Sequence, residues 1–103
     1  MEDLSMEYVY QLVIENDMFY DTKEFDSYIF PTEEDAIEYM NILIEAYKAD
    51  WINNFDCESE EQLMSEYVEE TSHMITDTYK NFYIEDYCNT EFYIQKKPLL
   101  KFV

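Results

Sequence analysis

The 103-residue chain carries 25 Asp and Glu against six basic residues, all of them Lys, and its formal net charge is −19. A field of that sign repels phosphates, so nucleic acid and anionic membrane are disfavoured as direct ligands and a partner with a basic surface is favoured. Hydrophobic residues make up 48% of the chain and aromatics 18%, far above the level of a disordered acidic tail, so the chain has the material for a core and is expected to fold as a single domain over residues 1–103.

The placement of the charge matters more than its sum. By surface scaling, a folded 12.6 kDa chain exposes roughly 6,000 Å², or about one net negative charge per 320 Å². B-DNA, taken as a cylinder of about 10 Å radius, carries one per 110 Å² or so. The chain approaches DNA only where its acids gather on part of the surface.

The supply of chemistry-bearing residues is thin. Cys57 and Cys88 form no CxxC pair, which argues for a reduced compartment rather than a disulfide framework. His73 is the single histidine and there is no glycine. Phosphate-cradling loops need a residue without Cβ at their closest approach, and nucleophilic catalysis needs a base beside the nucleophile. No enzymatic activity, cofactor or metal is therefore expected. The start of the chain lacks the basic flank and apolar run of a secretory signal, and no apolar stretch approaches the ~20 residues of a membrane span, so a soluble cytoplasmic protein is the expectation.

In chain order, Met6 to Glu15 alternates as a strand, with Met6, Tyr8, Tyr10, Leu12 and Ile14 on one face. Val9 and Val13 suggest partial cover on the other. Phe25 to Phe30 reads as a second strand, paired with the first through a long loop. Thr32 then caps a helix running to about Asn54, with Glu33, Glu34 and Asp35 at the positive end of its dipole. Ala36, Ile37, Met40, Leu43, Ile44, Tyr47 and Trp51 form its apolar stripe. Ser59 and Gln62 make a capping box for a second helix from Glu60 to about Asp77, whose outer face is acidic. Phe82 to Ile84 and Phe92 to Ile94 are strands flanking a turn at Cys88-Asn89-Thr90, with Asn89 at positive φ, and Pro98 ends or edges the last strand. The fold class is α+β: a small antiparallel sheet with two helices on one face, in the approximate order ββααββ.

Several constellations have bland readings that win. Glu70 and His73 have a Glu-x-x-His spacing, but a di-iron bundle needs that motif twice. Cys57, Cys88 and His73 lack the short ligand spacings of a structural zinc site. Asp17, Asp21 and Asp26 crowd a loop that lacks the central glycine of a calcium loop. Asp86 with Gln95 and Lys97 has a faint likeness to a nuclease hairpin, which a charge of −19 would set against its own substrate. Tyrosines 8, 10, 28, 83, 87 and 93 exceed what a small core absorbs and offer ring faces to Arg or Lys of a basic partner.

The strongest signal is the acidic helical surface. Glu66, Glu69, Glu70 and Asp77 are expected in one row on the second helix, while Glu34, Glu38, Glu45, Asp56, Glu58, Glu60 and Glu61 extend it over the first helix and the linking segment. Carboxylates one helical turn apart stand ~5.4 Å apart along the axis, a spacing comparable with that of neighbouring phosphates. In size, acidity, α+β build and AT-rich residue bias the chain resembles the phage-encoded DNA mimics, among them anti-restriction and small anti-CRISPR proteins. The resemblance is one of general character and carries no residue role across. It implies a monomeric or dimeric inhibitor that serves host defence evasion by occupying the nucleic-acid-binding surface of a CRISPR effector or restriction enzyme. The alternative is an acidic adaptor or regulatory subunit that binds a basic protein without mimicking nucleic acid.

Overall fold

The computed structural model describes residues 4–19, 22–70 and 76–102. Its elements are β1 (Leu4–Met18), β2 (Lys23–Phe30), α1 (Glu33–Asn54), α2 (Glu60–Glu66), β3 (Val68–Glu70), β4 (Tyr79–Ile84) and β5 (Cys88–Phe102). The five strands form one antiparallel sheet in the order β2-β1-β5-β4-β3. The α+β class is as the sequence suggests. The order ββααββ is corrected to ββααβββ, because a third strand follows the second helix.

Every register pairs even-numbered residues with even-numbered ones, as in Leu12 with Tyr28, Leu12 with Ile94, and Phe82 with Thr90. Residues directly opposite one another share a face, so one face of the sheet is even throughout and the other odd. The even face supplies Leu12, Ile14, Val68, Phe82, Ile84, Cys88 and Phe92 to a single buried cluster with Met40, Ile44 and Trp51 of α1 and Leu63 of α2. Within that cluster the Phe92 ring meets Tyr47 and Phe82 edge to face. Among the described residues no helix lies over the odd face. Even so, Val13 on that face is only 3% exposed, which gives physical form to the second-face cover expected of it.

Helix α1 begins and ends where its signals set it. Thr32 Oγ1 accepts from the Asp35 N–H at 3.1 Å, and Ala36, Met40, Ile44 and Trp51 are its buried residues. Helix α2 starts as expected too, with Ser59 Oγ accepting from the Gln62 N–H at 3.1 Å, while the Gln62 side chain caps the Glu58 N–H at 2.7 Å.

Its end does not. The expected helix to Asp77 stops at Glu66: the Tyr67 N–H makes a last bond to the Leu63 carbonyl, and Val68 to Glu70 then pair with Ile84 to Phe82. Glu66, Glu69 and Glu70 would set like charges one turn apart on the continued helix. Val68, β-branched and buried, has a place on the sheet instead. Residues 71–75 of that expected helix, His73 among them, lie outside the described residues.

Two further expectations are corrected. The β1–β2 connection is short, since β1 runs to Met18 and β2 starts at Lys23. The second hairpin turns at Glu85 to Tyr87, not at Asn89: Asp86 takes φ 61° there, and Asn89 lies within β5, opposite Tyr83. Aspartate tolerates that left-handed region for the same reason asparagine does, through its short polar side chain.

The molecule measures 61 × 26 × 24 Å. Its length comes from the far ends of β1 and β5, which pair with each other from Leu4 and Phe102 inward, whereas β2 reaches only Tyr10 and β4 only Tyr79, opposite Tyr93. Pro98 falls in this two-stranded ribbon. The Ile94 N–H points to the Thr78 carbonyl, so Pro98, four residues on, faces the side where no described strand pairs, and its missing N–H costs no ladder bond.

Candidate partner-binding surface

The surface is 6875 Å²; divided by 19 net charges, that is about 360 Å² each, still some threefold more dilute than B-DNA. Local gathering is therefore what counts, and the fold supplies it at the end of the molecule away from the ribbon. Helix α1 ends there, α2 and β3 lie beside it, and the β4–β5 turn closes it, with the Phe55 ring stacked on Tyr67 and edge-on to Tyr87. A cleft of about 370 Å³ opens between these elements, and Glu66, Glu69, Glu85 and Asp86 contribute four carboxylates to its wall. Asp56 and Glu66 also act on the Cys57 thiol, which burial first and then these two charges push up.

Of the residues expected from sequence, Asp56, Glu58, Glu60, Glu61, Glu66 and Glu69 are exposed and belong to the chain segments that build this end. Glu34, Glu38 and Glu45 are exposed along α1, Glu34 and Glu45 being separated by roughly 16 Å of helix. The expected row of Glu66, Glu69, Glu70 and Asp77 on one helix is corrected. Glu66 ends α2, Glu69 and Glu70 are successive residues of β3, and Asp77 precedes β4, whose six residues carry the chain ~20 Å from there to the acidic end.

Lys48 of α1 is mostly covered. It lies 3.5 Å from both Glu45 and Glu60, fastens α1 to α2, and sits over the Phe82 ring. Glu45 and Glu60 thus spend part of their charge internally.

Glu85 and Asp86 were missed as members of the site. Their signal is an acidic dipeptide between the apolar runs Phe82 to Ile84 and Phe92 to Ile94, a turn pattern whose carboxylates are necessarily exposed.

The tyrosine-rich odd face is less free than its composition suggests. The Tyr79 hydroxyl donates to Glu91 Oε2 at 2.7 Å and the Tyr93 hydroxyl to Glu15 Oε2 at 2.9 Å, and Lys23 lies 3.4 Å from Glu15. On the ribbon's even face, Lys96 Nζ stands 4.2 Å from the Tyr8 ring centre. Of the tyrosines expected to meet a partner's cations, Tyr93 and Tyr8 are already engaged within the chain. The nuclease-like set is not assembled either: Asp86 is in the hairpin turn and Gln95 lies more than 20 Å up β5 by strand rise. Among the described residues no group of three His, Cys, Asp or Glu could hold a metal ion, and no helix is long and apolar enough to cross a membrane.

Two predictions arise here. The bond to Glu91, with burial and the charges of Glu91 and Glu15 adding to it, pushes the Tyr79 phenol from 10.0 up to about 12. The folded state thus keeps a proton that the unfolded chain releases near pH 10, so the stabilisation is complete below pH 10 and is lost as pH rises through about 12. Tyr79→Phe is expected to lower stability near neutrality by about 1 kcal/mol and to flatten the alkaline fall; urea midpoints on both sides of pH 10 check it. Repulsion among the clustered carboxylates also predicts that the melting temperature climbs from low salt to about 1 M, where the screening length shrinks to ~3 Å. A melting temperature that fell across the series would contradict this.

Compared with known proteins, the chain matches no family model, no curated protein and no solved structure.

Proposed function

We propose that this chain is an acidic, non-catalytic inhibitor that binds a basic nucleic-acid-binding protein and occupies the surface meant for DNA or RNA, in the manner of phage anti-restriction and anti-CRISPR proteins. The observation that carries the reading is the gathering of Glu66, Glu69, Glu85 and Asp86 around one cleft, with Asp56, Glu58 and Glu61 exposed on the adjoining segment. The exposed Lys96 and Lys97 lie on the ribbon at the other end. A charge spread evenly for solubility needs no such separation. A charge meant to enter a basic groove does, because complementarity at one end steers the encounter and fixes its orientation.

The test is competition on a purified restriction nuclease or CRISPR effector with fluorescently labelled DNA, read by anisotropy. The protein is expected to release the DNA, with the DNA concentration needed for recapture rising in proportion to the protein added. A ternary complex holding both would overturn occupancy of the nucleic-acid surface and leave an adaptor that binds elsewhere on a basic protein.

A further inference from the structure

A second cavity, of about 300 Å³, lies beside the acidic end, between the C-terminal half of α1 and the edge of β1 and β2. Its wall differs in kind from that of the cleft above: three aromatic side chains, Tyr47, Trp51 and Tyr87, together with the carboxylates of Glu24 and Asp50. Both carboxylates belong to exposed residues, and neither has a cationic partner among the described residues. The Tyr47 phenol is pushed up by burial first and then by the charges of Asp26 and Glu24, as expected where the local field is negative. Aromatic rings and carboxylates around one space are the elements that bind an organic cation.

Two amides complete the wall. Asn54 Nδ2 donates to the Tyr87 hydroxyl at 3.0 Å, which orients an amide that lines the cavity. Asn16, nine-tenths buried, also lines the space; its Oδ1 accepts from Thr90 Oγ1 at 2.8 Å, and its Nδ2 has no partner among the described residues. A guanidinium has no acceptor to offer that donor, so the donor keeps a water beside the guest. The volume is at the lower limit for ligand pockets, which suits one side chain better than a larger molecule. A planar guanidinium uses such a wall more fully than an ammonium does, since it stacks on rings and donates to several acceptors at once.

We propose that this cavity receives an arginine side chain of the basic partner. The proposal rests on the reading that the partner is basic, and adds a keyed contact to what is otherwise diffuse attraction. Trp51 is the chain's one tryptophan, so its emission reports the site without any label.

The experiment titrates the full chain with the peptide acetyl-Gly-Arg-Gly-amide and with its lysine counterpart at fixed ionic strength. A saturable change in Trp51 emission is expected, with the lysine peptide at least fivefold weaker. Glu24→Gln with Asp50→Asn should weaken the arginine peptide at least tenfold, whereas Glu34→Gln with Glu38→Gln, which removes the same charge elsewhere, should change it less than twofold. Equal losses in the two double variants, equal binding of the two peptides, or no saturation would each overturn the proposal. The peptide needs no nuclease. A silent titration with DNA displacement intact would therefore sink this site alone, and a responsive one without displacement would sink the inhibitor reading alone.

Discussion

Phe92→Ala is expected to cost about 3–5 kcal/mol, a large share of the roughly 5–15 kcal/mol that holds a domain together. Phe92 lies on β5, the central strand of the five, with Ile14 opposite it on β1 and Lys80 opposite it on β4. It is fully buried, and its ring is 5.4 Å from that of Tyr47 and 6.0 Å from that of Phe82, edge to face in both pairs. Truncation removes the apolar transfer energy, both ring contacts and the filling of a space that the sheet and α1 cannot close, because backbone ladders on both sides fix β5. Phe25→Ala is the matched control. Phe25 is 60% exposed on the odd face of the sheet, and its loss should stay within about 0.5 kcal/mol. Urea midpoints for the two variants decide the matter, and equal shifts would mean that the cluster is not the core.

The parts of this fold that were legible in the sequence are those fixed by neighbours in the chain. Thr32 and Ser59 set two helix starts because a cap is a contact over three residues. The stripe from Ala36 to Trp51 is legible because a 22-residue helix repeats its signal many times. The end of α2 was hidden because Tyr67 and Val68 suit a helix period as well as a strand, and the choice was made by Ile84, sixteen residues on, which offers Val68 a pairing partner. Asn89 and Asp86 are both able to turn the second hairpin. Asn89 accepts from Asn81 Nδ2 at 2.8 Å across the β4–β5 pair, and a turn at that position would lose the bond. The site divides in the same way. The acidity of α1 and α2 was plain from sequence, whereas the grouping of Glu66 and Glu69 with Glu85 and Asp86 depends on β3 being a strand. The aromatic cavity draws on Asn16, Glu24, Trp51 and Tyr87, residues from four separate elements or turns, and no local pattern announces it.

Reversing Glu66, Glu69 and Glu85 together to Lys is expected to abolish useful binding to the proposed basic partner, slowing association by about a hundredfold at low salt. The three carboxylates line one cleft and belong to exposed residues, and among the described residues their one hydrogen bond is from Gln62 Nε2 to Glu66. Folding should therefore survive a change of six charge units, and it should even gain from relieved repulsion. Asp86 is left alone because its φ of 61° is a conformation that lysine tolerates less well. A control reversal of Glu34 and Glu38 on α1 keeps the sense of the change but moves it away from the cleft, and should slow association less per charge. The ionic-strength series separates steering from contact: the parent's association rate should fall steeply with salt, while the triple variant's should be nearly flat, and the two should converge where screening reaches ~3 Å. Stopped-flow mixing with a restriction nuclease or CRISPR effector that the parent inhibits supplies the rates. If the triple reversal associated as fast as the parent at low salt, the acidic end would be a solvated surface, and the odd face of the sheet with the Lys96–Lys97 ribbon would be the interface to test next.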